Sequence, residues 1–84
     1  MENLNRIKLL CFGKAREIVL SKQIDMTIPS GITVGELRTH LLEIYPALNG
    51  QLAYAVAVNQ NYAQNDEVIP SNAEVAIIPP VSGG

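Results

Sequence analysis

Hydrophobic and polar residues alternate with a period of two in two early segments of the chain, which is typical of β-strands. In residues 6–12, apolar side chains occur on both sides of the alternation, which predicts an interior strand of a sheet. In residues 23–28, apolar residues occupy every second position, which predicts a strand with one face in water. Residues 14–19, between these strands, are long enough for a short helix.

A longer helix is predicted after the second strand, where apolar residues recur at a spacing of three to four. Thr33 and Glu36 have the spacing of a capping box, in which each side chain accepts a hydrogen bond from the other residue's backbone N–H. Pro46 disfavours helical backbone in the residue before it. We therefore expect the helix to begin after Thr33 and to end at about Ile44 or Tyr45.

The second half of the chain is predicted to contain three strands. Residues 54–58 form a continuous apolar run that is typical of a buried strand. The Asn-Gln-Asn sequence at 59–61 tolerates the positive φ angles of a tight turn, so Tyr62 is expected to begin a short edge strand. A last strand is predicted over residues 74–78. This order of elements predicts an α+β fold in which a mixed sheet packs on one main helix.

Composition limits the function classes that are open to this chain. Its 84 residues carry a formal net charge of −2, and all six Lys and Arg residues lie between Arg6 and Arg38, so a nucleic-acid partner is not expected. Cys11 is the only cysteine and is interpreted as a small buried hydrophobe. No apolar run approaches the roughly 20 residues that cross a bilayer. We therefore expect a cytoplasmic protein with no membrane partner.

Few residues could support catalysis within the chain itself. His40 is the only histidine, and together with a single cysteine it cannot complete a zinc site, so no metal is expected. The glycines are too scattered to form a phosphate-binding loop, and no serine lies in a hydrolase motif. Internal catalysis is therefore not expected.

The carboxyl-terminal sequence is the unusual feature. Two prolines fix the backbone and direct the chain away from the last strand, and the two final glycines can enter a channel too narrow for side chains. The α-carboxyl of Gly84 is ionised and unreactive at neutral pH, so another enzyme would have to activate it, for instance by adenylation. From these residues alone, a reactive terminus and a frayed end both stay open. We expect a folded domain over residues 1–78 and an extended tail over 79–84.

Three segments resemble the small-subunit family of molybdopterin synthase. Residues 7–17 resemble its first strand and its Phe-Ala-x-x-Arg-Glu segment, and residues 57–59 resemble its Ala-Val-Asn turn. Residues 74–84 are similar to its terminal Asp-Glu-Val-Ala-x-x-Pro-Pro-Val-Ser/Thr-Gly-Gly sequence, apart from its first Asp. Two departures are Asn-Ala at 72–73, where the family has Gly-Asp, and Gly13, where it has Ala. Because Asn accepts a positive φ angle, we expect the turn at 72–73 to persist.

The resemblance implies a ubiquitin-like β-grasp fold and a sulfur carrier with no permanently bound cofactor. Gly84 would be adenylated with ATP by a ubiquitin-activating-type adenylyltransferase and converted to a thiocarboxylate. It would then donate sulfur to cyclic pyranopterin monophosphate in molybdenum cofactor biosynthesis. The catalytic side chains would belong to the large subunit of the synthase, in a heterotetramer of two small and two large subunits. The tail residues that would thread into these partners are Pro79, Pro80, Val81, Ser82 and Gly83.

By the same resemblance, Phe12, Tyr62 and Ile78 would form an apolar docking patch near the start of the tail, and Arg16 would pair with an acidic group of a partner. The alternative is that the three apolar residues belong to the core. Two other carrier functions fit the Gly-Gly end, namely a thiamine-pathway sulfur carrier and a ubiquitin-like protein modifier. The thiamine-pathway carrier typically lacks a Phe-x-x-x-Arg-Glu helix. A purely structural binding module is a further alternative, for which the tail would be dispensable.

Overall fold

The computed structural model describes residues 3–51 and 54–79. Its strands and helices occur in the predicted order, and the predicted boundaries agree with the observed ones to within two residues. The elements are β1 (Leu4–Cys11), α1 (Gly13–Val19), β2 (Gln23–Pro29), α2 (Val34–Ile44), a 3₁₀ helix (Pro46–Gln51), β3 (Ala55–Val58), β4 (Asn61–Tyr62) and β5 (Glu74–Ile78).

The strands form one mixed sheet in the order β2-β1-β5-β3-β4. β1 and β5 are parallel, whereas the other neighbouring strands are antiparallel. The prediction of a mixed sheet is therefore confirmed, and so is the interior position of the first strand. Because β1 and β5 run in the same direction, both strands end at the same edge of the sheet. The chain therefore leaves β5 at the edge where β1 passes into α1.

The hydrophobic core lies on one face of this sheet, and α2 packs against it. Alternate residues of the two central strands, among them Leu9 and Ile77, are fully buried, as is Leu37 of α2. Cys11 is 1% exposed within this cluster, which confirms its interpretation as a buried hydrophobe, and burial raises the pKa of its thiol. The opposite face of the sheet, here called the outer face, carries no helix in the described residues.

The start of α2 confirms the predicted capping box. The Thr33 backbone N–H donates to Glu36 Oε1 at 2.9 Å, and the Glu36 backbone N–H donates to Thr33 Oγ1 at 3.2 Å. Because Thr33 donates from both its backbone and its hydroxyl, the pKa of the Glu36 carboxyl lies below its usual 4.5. The ionised carboxylate therefore stabilises the folded state.

This cap makes stability sensitive to acid. A pKa lowered by folding contributes stability above its unfolded value, and that contribution is lost as the pH falls through the folded value. We expect Glu36→Ala to lose less stability than the wild type between pH 7 and pH 3, as measured by urea unfolding. Asp66→Ala, which removes an exposed carboxylate between β4 and β5, is the control and should follow the wild type. An equal loss of stability in wild type and Glu36→Ala would contradict this assignment.

The turn between β3 and β4 has the positive φ angles that the sequence predicts. Asn59 has φ 50° and Gln60 has φ 71°, and they join paired residues Val58 and Asn61, as in a type I′ hairpin. The Asn59 side chain also accepts a hydrogen bond from the Glu74 backbone N–H at 3.0 Å. Asn72 has φ 59°, so the turn before β5 persists as expected.

Gln60 is a poor residue for this backbone conformation, because a side chain in the left-handed region is sterically crowded. We expect Gln60→Gly to raise the free energy of unfolding by about 0.5–1 kcal/mol, since glycine removes this crowding at some entropic cost in the unfolded chain. Urea titration measures the change. Gln64→Gly is the matched control, because Gln64 has no positive φ and should lose stability. Similar losses in both variants would contradict the argument.

Candidate functional site

The candidate site begins where β1 and β5 end. Cys11 pairs with Ile77 in the parallel register, so the next residues along the two strands, Phe12 and Ile78, are neighbours. Phe12 keeps an extended backbone, with φ −122° and ψ 154°. Because side chains alternate along a strand, Phe12 and Ile78 belong to the outer face, opposite the buried pair. Phe12 is 50% exposed, and Ile78 is half-buried.

Tyr62 lies on the same outer face, in the edge strand β4. Ile78 lies opposite Ala55, and Ala57 lies opposite Tyr62, so the register of β3 places all four side chains on the outer face. The two alanine side chains are small, so they do not project from the sheet between the three larger side chains. Tyr62 is 75% exposed. Phe12, Tyr62 and Ile78 are hereafter the tail-root patch.

The structure thus places the three predicted docking residues on one surface. The exposure of Phe12 and Tyr62 does not fit the alternative that they are core residues, whereas Ile78 is partly covered. Contact with a partner stays a prediction for all three. Residues 80–84, which include the predicted reactive Gly84, lie outside the described residues.

The first tail residue, Pro79, lies against the junction of β1 and α1. A Cβ atom on Gly13 would be 3.6 Å from Pro79 Cγ, so the proline ring is in van der Waals reach of the glycine backbone. Gly13 has φ 54°, a conformation that favours glycine. Glycine at position 13, where the family has Ala, therefore fits a turn that also contacts the first residue of the tail.

Cationic side chains surround this junction. Arg16 of α1 is exposed, and its pairing with an acidic group of a partner stays a prediction. It lines an open cleft of about 250 Å³ together with Phe12, Gly13 and Lys22. Sequence reasoning did not single out Lys22, and the one signal for it is its place three residues after the predicted short helix. Residues 13–22 hold three cations and one carboxylate, whereas the whole chain has a net charge of −2.

A second open cleft of about 530 Å³ lies along α1 and includes Leu20, another residue that the sequence analysis did not single out. Leu20 ends α1 in the left-handed conformation, with φ 64° and ψ 28°, and its backbone N–H donates to the Arg16 carbonyl at 2.9 Å. For a residue with a side chain this conformation costs about 1–2 kcal/mol. The signal in the sequence is a helix end that lacks the usual Gly or Asn.

The remaining chemical groups of the described residues lie apart from this junction. His40 is on the surface of α2, with Nδ1 4.0 Å from a Glu43 carboxylate oxygen. Within residues 3–51 and 54–79, no three His, Cys, Asp or Glu side chains come close enough to hold a metal ion. None of the helices in these ranges has the length and apolarity needed to span a membrane.

A family model and several known proteins are similar to this chain over most of its length. The ThiS family model matches residues 9–84. The chain belongs to the ThiS family. A Dictyostelium discoideum relative, a molybdopterin synthase sulfur carrier subunit, is 40% identical over 84 residues, covering 95% of this chain and 98% of the relative. The resemblance to the small-subunit family of molybdopterin synthase is therefore confirmed.

Solved structures of similar chains confirm the β-grasp fold of this ThiS family member. SAMP1 from Haloferax volcanii has a TM-score of 0.82 and 25% identity, covering 95% of this chain and 100% of that one. A chain from the complex of subunits 1 and 2 of the molybdopterin-converting factor of Helicobacter pylori has a TM-score of 0.61 and 23% identity. The match covers 94% of this chain and 99% of the Helicobacter pylori chain.

Proposed function

We propose that this protein is the sulfur carrier subunit of molybdopterin synthase and that Gly84 carries the sulfur as a thiocarboxylate. The observation that carries the proposal is the parallel pairing of β1 and β5. Because of this pairing, the tail begins beside an exposed apolar patch. A partner that covers the tail-root patch is thereby positioned to receive the tail. The names of the relatives, which are sulfur carrier subunits of the synthase, support the same function.

The chemistry proposed for Gly84 begins with activation. The carboxylate attacks the α-phosphate of ATP on a ubiquitin-activating-type adenylyltransferase, forming an acyl adenylate and releasing pyrophosphate. A sulfide equivalent then attacks the acyl carbon, AMP leaves, and the terminus becomes a thiocarboxylate. ATP is a substrate of the activating enzyme in this scheme. This chain binds no cofactor permanently.

The second half of the cycle takes place on the large subunit of the synthase. The thiocarboxylate sulfur attacks a side-chain carbon of cyclic pyranopterin monophosphate and displaces an oxygen substituent of that carbon, which leaves Gly84 joined to the pterin as a thioester. Water then hydrolyses the thioester, so the sulfur stays on the pterin and the Gly84 carboxylate is restored. Two such transfers supply both sulfurs of the dithiolene of molybdopterin. The side chains that catalyse these steps belong to the large subunit, in the expected assembly of two small and two large subunits.

Docking in this scheme uses the tail-root patch and Arg16. Phe12, Tyr62 and Ile78 provide apolar contact area, and Arg16 pairs with a carboxylate of the partner. Because the chain has a single tail, the activating enzyme and the large subunit bind in turn and not together. We place these steps in the cytoplasm, where ATP and reduced sulfur are both supplied.

A transfer experiment tests this function directly. The chain is prepared with a thiocarboxylate at Gly84 and mixed with the large subunit and cyclic pyranopterin monophosphate, without ATP or activating enzyme. We expect molybdopterin to form with two carriers consumed for each product. If no product forms while the large subunit is active with another thiocarboxylated carrier, the proposal is wrong.

A protein modifier is the second candidate, because the fold is similar to that of the small archaeal modifier protein 1 of Haloferax volcanii. A modifier would transfer its activated Gly84 to a lysine amine and form an isopeptide bond. Immunoblots of a lysate supplied with the activated chain would then show covalent adducts. A thiamine-pathway carrier would also form the thiocarboxylate but would give no molybdopterin in the transfer experiment.

A further inference from the structure

Leu20 combines two unfavourable properties. Its backbone is in the left-handed region, which bulky residues rarely adopt and which helix ends normally fill with Gly or Asn. Its side chain is 87% exposed, and no other large apolar side chain in the described residues is more exposed. Residues held in costly backbone conformations cluster at functional positions. The strained backbone and the exposed side chain together indicate that Leu20 serves in binding to another molecule and not in stabilising the folded chain.

The surface around Leu20 is continuous with the tail-root patch. Leu20 lines the larger cleft with Gly13, Arg16 and Lys22. The same three residues line the smaller cleft, which contains Phe12. A partner that binds Phe12 and the tail, and whose contact surface continues beside α1, therefore also contacts Leu20.

We propose that Leu20 is a second apolar anchor for the large subunit of the synthase. The inference rests on the proposed function, because it takes the large subunit as the occupant of this face. Leu20 enters an apolar socket of that partner, and carboxylates at the rim of the socket pair with Arg16 and Lys22. The charge of the segment supports an acidic rim, since residues 13–22 carry three cations against one carboxylate in a chain that is acidic overall.

The test uses substitutions that separate folding from binding. Glycine fits the left-handed backbone at position 20, so Leu20→Gly should raise the midpoint of thermal unfolding. It also removes the apolar side chain, so its affinity for the large subunit should fall about fivefold or more in calorimetric titration. Leu20→Asn, which also suits this backbone, should lose affinity in the same way. Opposite changes in stability and affinity cannot arise from misfolding.

Matched controls define the outcomes. Leu4→Ala removes an exposed leucine, 60% exposed, at the opposite end of β1 and should bind like the wild type. Lys22→Ala should lower the affinity and weaken its dependence on salt. Wild-type affinity in both Leu20 variants would overturn the inference and leave the proposed function standing. A change in the sedimentation mass of the isolated chain on Leu20→Gly would assign this face to a second copy and overturn it as well. Absence of any wild-type binding to the large subunit would overturn both proposals.

Discussion

Removal of Gly84 is expected to lower molybdopterin formation by more than about a hundredfold in the reconstituted reaction. The new terminal carboxyl would lie back along the chain by about 3.5 Å, the length of one extended residue. A reacting group displaced by as little as about 1 Å can lose about a hundredfold in rate. The expected loss therefore follows from reach alone, because Gly83 would still offer a free carboxylate.

The folded domain should not change when Gly84 is removed. The buried hydrophobic cluster in the described residues extends from Ile7 to Ile77, so its members lie well before the terminus. Thermal unfolding of the shortened chain should give the wild-type midpoint. Ser82→Ala is the matched control, since it alters the tail but keeps its length, and it should retain most of the activity. Wild-type rates in the chain without Gly84 would contradict the terminal chemistry.

Phe12→Ala is expected to weaken binding to the large subunit about tenfold or more. Aromatic side chains at the centre of an interface commonly contribute this much, because their burial removes a large apolar area from water. Phe12 is 50% exposed in the free chain, so its truncation should change the free energy of unfolding only slightly. Calorimetric titration measures the affinity, and urea unfolding measures the stability.

Val68→Ala is the control for Phe12→Ala. Val68 is 58% exposed, but it forms a bridge with Thr33 at the start of α2, away from the outer face. Its truncation should leave binding unchanged. Equal affinities of Phe12→Ala and the wild type would contradict the docking role of the tail-root patch.

Local features of the sequence predicted most of the secondary structure. The capping box of Thr33 and Glu36 fixed the start of α2 because its partners are three residues apart. The positive φ angles of Asn59 and Asn72 followed from the conformational tolerance of Asn. Both predictions succeeded because the deciding interactions lie within a few residues of each other.

Long-range pairing was beyond the reach of the sequence pattern. The alternation in β1 and β5 indicates two strands, but not that they pair in parallel with Cys11 beside Ile77. This register decides the candidate site, because a shift of one residue would move Ile78 from the outer face to the core. The start of α2 also has a hydrogen bond that the sequence pattern could not predict. The Gly35 N–H donates to the Asn65 carbonyl, 30 residues away in sequence.

The candidate site likewise depends partly on local sequence and partly on contacts between residues that are distant in sequence. The tail motif and the residues matched to the family could be named from the sequence, whereas their common surface required the sheet order. Leu20 and Lys22 did not emerge from the motif. The position of Leu20 depends on where α1 ends, and the cleft around Lys22 depends on how α1 and β2 meet β1.

The intact mass of the chain after activation tests the central claim most directly. The protein is incubated with the adenylyltransferase, ATP and a sulfur donor, and is then measured by mass spectrometry beside the chain that lacks Gly84. The account predicts that the full chain gains the mass difference between one sulfur and one oxygen atom, and that fragmentation places this gain at Gly84. An unchanged mass, while the enzyme consumes ATP and loads another carrier, would contradict the account.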